Sequence, residues 1–221
     1  MEDIVVVTVG STRFDQLINT LLAPSHAELA GLLGRTPTLT RVLVQIGSQQ
    51  ELTLEGQAIP IASHLSLPPS QHIQLTIFRY SDAIDSLLSR ARLIITHAGA
   101  GSILSAIRPI TPAPELQAKL QVTPDLSLDI SPTSIKNDKP IVIIVPNPGL
   151  MDNHQLDLAH QISSLGLAYT CSTDQLLATI KEALNPHHQS SSNSSELDLD
   201  PVPGPTKFRN LLDQQMGFNN E

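Results

Sequence analysis

The sequence predicts an α/β protein built on a parallel sheet with helices covering both faces. Short runs of β-branched and apolar residues recur along the chain, each too uniformly apolar to be a strand with one wet face. After most of them, apolar residues fall at helical spacing. Strand and helix therefore alternate, and that order implies parallel strands joined by right-handed crossovers.

Ile4–Val9 is the first such run and stops at Gly10. Phe14, Leu17, Ile18, Leu21 and Leu22 then mark one stripe of a helix. Arg41–Ile46 reads as a second strand, stopped by Gly47, and Ile73–Phe78 as a third. Ile84, Leu87, Leu88 and Ala91 place a helix behind it. Leu93–Thr96 is a fourth strand, running through His97-Ala98-Gly99-Ala100-Gly101-Ser102 into a helix carrying Ile103, Leu104 and Ile107. Ile141–Val145 is the next strand, followed by a loop and a helix with Leu158, Ile162 and Leu165 that ends at Gly166. A short strand at Ala168–Thr170 leads to a last helix with Leu176, Leu177, Ile180, Ala183 and Leu184. Residues 1–186 thus form one Rossmann-like domain.

Three segments depart from this alternation. Residues 109–138 hold Pro109, Pro112, Pro114, Pro124 and Pro132 without sustained periodicity, and read as a surface insertion. Residues 187–205, rich in Ser, Asp and Pro, read as a flexible linker. In residues 206–221, Phe208, Leu211 and Leu212 make a short amphipathic helix that needs a surface to dock on.

Composition narrows the function. The 221 residues carry 13 Lys+Arg against 21 Asp+Glu, a net charge of −8, with no basic cluster to meet nucleic acid or an anionic membrane. Aromatic residues are 3% and tryptophan is absent, which disfavours base-stacking platforms. No apolar run approaches the ~20 residues of a membrane span. Met1 leads directly into Glu2 and Asp3, so a secretory leader is not expected, and the single Cys171 fits a reducing compartment. In such a compartment the Asn193-Ser194-Ser195 tripeptide stays unmodified.

The candidate chemistry lies at strand-to-helix turns. In His97–Ser102 the glycines let backbone N–H groups approach a ligand, and the helix start adds unpaired donors and a positive dipole end. This suits a diphosphate even without a lysine. A capped tight turn is the plainer reading of the same residues. The third glycine of a dinucleotide fingerprint is replaced by Leu104, and no Gly-Lys-Ser/Thr exists, which excludes both nucleotide loops. Asn147–Gln155 places amides and an imidazole at the next strand end, suited to sugar hydroxyls, with a solvated N-cap as the alternative. Gly10-Ser11-Thr12-Arg13-Phe14-Asp15 after the first strand forms a third, weaker turn, with helix capping by Thr12 or Asp15 as the alternative. His97 and His154 are candidate general bases, with an orienting role as the alternative for each. Eight scattered histidines show no metal spacing, and no G-x-S-x-G elbow is present.

Val7-Thr8-Val9-Gly10-Ser11-Thr12, His97–Ser102 and Leu150-Met151-Asp152-Asn153-His154-Gln155-Leu156 together resemble the cytosolic catalytic subunit of the eukaryotic UDP-GlcNAc transferase of dolichol-linked oligosaccharide synthesis. That family is similar to the C-terminal, donor-binding half of two-lobed GT-B glycosyltransferases. The resemblance implies that Gly99, Ala100, Gly101 and Ser102 hold the diphosphate of UDP-GlcNAc, with His97 beside them. Asn153, His154 and Gln155 would reach the GlcNAc hydroxyls, the turn after Phe78 would border the uracil, and Gly10, Ser11 and Thr12 would face the cleft where acceptor and donor meet. Ser105 stands where family members carry a carboxylate suited to ribose, and those members lack the 109–138 stretch. No cofactor or metal is implied.

The family also implies a membrane-anchored partner at the cytosolic face of the endoplasmic reticulum, which supplies the acceptor half for dolichyl-diphospho-GlcNAc. Phe208, Leu211 and Leu212 would contact that partner. A non-enzymatic nucleotide-sugar-binding module on the same fold is the alternative. A sugar-nucleotide epimerase would need both lobes in one chain.

Overall fold

The computed structural model describes residues 3–22, 26–49, 52–54, 57–58, 61, 63–66, 73–107, 119–123, 126–129, 139–149 and 154–185. The predicted α/β alternation is present. β1 (Asp3–Thr8) leads to α1 (Asp15–Leu22) and α2 (His26–Leu33), then β2 (Leu39–Gln45). A hairpin of β3 (Thr53–Leu54) and β4 (Gln57–Ala58) precedes β5 (Ser63–Ser66) and β6 (Gln74–Phe78). Next come α3 (Ile84–Leu88), β7 (Ala91–His97) and α4 (Ala100–Ile107). After β8 (Lys119–Thr123) and β9 (Leu126–Asp129), the chain forms β10 (Ile141–Val145), α5 (His154–Ser164), β11 (Tyr169–Thr170) and α6 (Leu176–Ala183).

The sheet order is β11-β10-β7-β1-β2-β6-β5. Its first six strands are mutually parallel, and β5 runs antiparallel on the outer edge of β6. At the centre, Val7 lies between Val44 and Ile95, and Ile95 pairs onward with Ile143. Alternate residues of these strands feed two cores. Val5, Val7, Leu93, Ile95 and Ile143 pack with α1, α2 and α6 on one face. Ile4, Val6, Ile94, Val142 and Ile144 pack with α3, α4 and α5 on the other. Burial of a side chain such as Ile95, fully enclosed, contributes about 1.5–3 kcal/mol.

β1 is central because the chain leaves it in two directions. β2 and β6 extend the sheet to one side, and the chain then returns to lay β7 on the other. The helix after β1 covers one face while the helix after β7 covers the opposite face. The carboxyl ends of β1 and β7 therefore form the switch point of the sheet, and the crevice at such an edge is where open α/β sheets bind ligands.

Some elements differ from expectation. The 109–138 insertion, expected to lack regular structure, contains the antiparallel hairpin β8–β9, with Leu120 paired to Leu128 and Lys119 to Asp129. Alternation of Leu120, Val122, Leu126 and Leu128 with polar residues in the sequence supplies the local reason. α2, the β3–β4 hairpin and β5 were also not expected. The linker at 187–205 and the tail helix with Phe208, Leu211 and Leu212 lie outside the described residues.

Candidate functional site

The crevice is framed from the β1 side by a turn whose polar groups are tied down. Thr12 donates both its N–H (3.2 Å) and its hydroxyl (2.7 Å) to the Val9 carbonyl. Gly10 N–H donates to Thr8 Oγ1 (3.2 Å), and that hydroxyl donates to Gln45 Oε1 on β2 (2.5 Å). Gly10 has φ +59°, a left-handed conformation that any other residue adopts at a cost. A Cβ there would lie 3.0 Å from His97 Cε1 and 3.1 Å from Ser102 Oγ. Gly10, His97 and Ser102, which come from three different elements, therefore meet at one point. Ser11 is exposed beside them and Thr12 half-buried.

His97 ends β7 with only 4% of its surface exposed. Burial pushes its imidazole pKa down, and the Thr8 carbonyl opposes this more weakly. Burial thus favours the neutral form of the ring. Its Nδ1 is buried without a well-formed hydrogen bond among the described residues. A Cβ on Gly99 would sit 2.3 Å from Nε2, so the imidazole occupies the space that a side chain at Gly99 would take.

α4 begins immediately after, with the Ile103 N–H bonded to the Gly99 carbonyl at 2.9 Å. The preceding N–H groups of its first turn have no intrahelical acceptor, and they carry the positive end of the helix dipole. Ala100 and Ser102 are half-buried there. Gly101 is exposed, and a Cβ on it would meet nothing within 4 Å.

The turn after β10 is organised by its own amides. Gln155 Oε1 accepts from the Asn147 N–H (3.2 Å), and Asn147 Oδ1 accepts from the Gly149 N–H (3.0 Å). Asn147 Nδ2 donates to the Arg13 carbonyl (3.2 Å), joining the loops that follow β10 and β1 across the end of β7. Gln155, expected to reach a ligand, has its carbonyl oxygen committed to the loop. His154 opens α5, its side chain outside the described set, and Asn153 lies outside the described residues.

Phe78 requires a correction. Its side chain is 0% exposed in the core, and its carbonyl accepts from Ile46 N–H (2.9 Å), so Phe78 itself offers a ligand no surface. The same turn instead exposes Tyr80, at 49%. Sequence reasoning missed Thr8, Gln45 and the bridging part of Asn147, because each acts through a partner distant in sequence. Among the described residues, no group of three or more His, Cys, Asp or Glu side chains could hold a metal ion. Cys171 is a free, buried thiol whose pKa burial pushes up.

These features define an open parallel α/β domain whose ligand edge offers backbone donors and small residues at its switch point. The chain belongs to the glycosyltransferase family 28 C-terminal domain family, which it matches over residues 4–113 and 135–210. The unmatched stretch between those ranges contains the β8–β9 hairpin.

A human protein named UDP-N-acetylglucosamine transferase subunit ALG13 is 29% identical over 167 residues, covering 76% of this chain and 11% of the human one. The mouse protein of the same name is similarly matched over 10% of its length, so this chain spans about a tenth of these two relatives. A Cryptococcus neoformans protein of that name is 24% identical over 230 residues, covering 97% of this chain and 96% of its own length. Among solved structures, the solution NMR structure of ALG13 is 19% identical with a TM-score of 0.49, covering 83% of this chain and 85% of that one. The crystal structure of Acinetobacter baumannii MurG is 14% identical with a TM-score of 0.47, covering 82% and 40%.

Proposed function

We propose that this chain is the donor-binding, catalytic subunit of a heteromeric transferase. It moves GlcNAc from UDP-GlcNAc to dolichyl-diphospho-GlcNAc and yields dolichyl-diphospho-chitobiose. The observation that carries this reading is the convergence of Gly10, His97 and Ser102 beside the first turn of α4, in a family 28 glycosyltransferase domain. The ligand's diphosphate rests on the N–H groups of Ala100, Gly101 and Ser102, and the sugar extends toward the turn after β10.

Transfer inverts the anomeric centre. An acceptor hydroxyl oxygen bonds to C1 of GlcNAc, the bond from C1 to the UDP oxygen breaks, and the hydroxyl proton passes to a base. Negative charge develops on the departing diphosphate, where pre-positioned N–H donors and the helix dipole stabilise it. His97 is buried, and burial makes its imidazole a weaker base, which suits orientation of the diphosphate better than proton removal at an open acceptor site.

The acceptor lobe comes from a membrane-anchored partner at the cytosolic face of the endoplasmic reticulum. Among the described residues no helix is long and apolar enough to cross a membrane, and one α/β lobe makes half of a two-lobed cleft. Phe208, Leu211 and Leu212 contribute to that contact. Co-purification from membranes, followed by an assay with UDP-GlcNAc and lipid-linked GlcNAc diphosphate, tests the proposal. Transfer is expected only with the partner present. Full turnover by the purified chain alone contradicts partner dependence, and UDP-GlcNAc binding without transfer under any condition leaves a non-enzymatic module.

A further inference from the structure

The carboxyl edge that would receive an anion is poor in cations. Among the described residues the basic side chains placed there are Arg13, after β1, and Arg79, after β6, while Arg41, Arg90 and Arg92 lie toward the opposite edge. Arg79 is half-buried and not without a partner. Arg13 is different. Its backbone is pinned by Asn147 Nδ2 at the mouth of the crevice, three residues beyond Gly10, yet its side chain is 66% exposed. Its guanidinium forks onto Asp15 at the start of α1, with Nε 2.9 and 2.7 Å from the two carboxylate oxygens and Nη2 also on Oδ2. An exposed pair of this kind contributes little to stability and is easily exchanged. A diphosphate oxygen offers the same fork a more highly charged acceptor.

We propose that Arg13 is a releasable diphosphate ligand: Asp15 holds it at the rim, and an arriving diphosphate takes it over. This rests on the reading of the crevice as a diphosphate site. The diphosphate belongs either to the nucleotide donor or to the lipid acceptor, and both present the same chemistry to the guanidinium.

Isothermal titration of the full chain with UDP, uridine and geranyl diphosphate tests it. Arg13→Ala is expected to weaken UDP or geranyl diphosphate by about tenfold or more, and to leave any uridine binding unchanged. Loss confined to UDP assigns the donor's diphosphate, and loss confined to geranyl diphosphate assigns the acceptor's. Asp15→Asn is expected to tighten binding of that same diphosphate when Arg13 is present and to have no effect on Arg13→Ala. Unchanged diphosphate affinity in Arg13→Ala, or equal loss for uridine, overturns the inference while the crevice reading stands. Failure of the unaltered chain to bind UDP overturns the crevice reading itself.

Discussion

Two strand-to-helix turns stand on neighbouring strands of the sheet, and they use their polar groups in opposite ways. The turn after β7 is built of glycine, alanine and one buried imidazole, and the first N–H groups of α4 have no intrahelical acceptor. The turn after β10 is rich in amides, but Asn147 and Gln155 direct them to the loop backbone and to Arg13. A residue's capacity for hydrogen bonding therefore says little about whether it serves a ligand. Small residues leave backbone donors available, whereas amide side chains at the next turn hold the edge in shape.

The largest expected effect comes from filling the glycine turn. Gly99→Val places a side chain where the imidazole lies, 2.3 Å from Nε2 at its Cβ, and should weaken UDP binding at least a hundredfold in calorimetry. Overpacking there should also cost about 1–3 kcal/mol of stability in urea unfolding. Gly101→Trp sharpens the contrast, because its Cβ meets open space. UDP binding should fall more than tenfold while stability changes by no more than about 0.5 kcal/mol. Retained binding would mean that the first turn of α4 holds no ligand.

Asn147→Ala tests the other turn. Losing the bonds to Gly149 and Arg13 should lower stability by about 1–2 kcal/mol, with a smaller effect on UDP affinity than either glycine substitution. A collapse of binding with stability unchanged would give Asn147 a direct place on the ligand.

The sheet was legible in the sequence because parallel strands buried on both faces need uniform β-branched runs, and Ile4–Val9 or Ile141–Val145 have no competing pattern. α2 was hidden because Gly31 interrupts Leu29, Ala30 and Leu33, a stripe whose burial only the tertiary core reveals. β5 was hidden because Ser63-His64-Leu65-Ser66 carries a single apolar side chain and forms by pairing with β6. In the site, glycine spacing drew attention to His97–Ser102, but not to the imidazole that takes the place of a Gly99 side chain. The Asn147–Arg13 bond joins residues 134 positions apart, a relation that no local pattern encodes. The burial of the Phe78 side chain was hidden for the converse reason: a strand's last residue can close the core as readily as open onto the edge.

The smallest expected effect concerns pH. Burial lowers the His97 pKa below its ordinary 6.5, so the unfolded chain binds a proton there more readily than the folded one. Stability from this group is complete above about 6.5 and declines as pH falls through that value. His97→Gln should therefore lose less melting temperature than the unaltered chain between pH 7.5 and 5.5. An identical loss would mean that His97 is not held neutral by its surroundings.

The decisive measurement is a UDP titration followed by backbone amide chemical shifts across the sheet's carboxyl edge. The account predicts the largest, saturable shifts at Gly99, Ala100, Gly101 and Ser102, with smaller ones at Gly10 and Asn147. Saturable shifts confined to other parts of the fold, with the start of α4 unmoved, would contradict it.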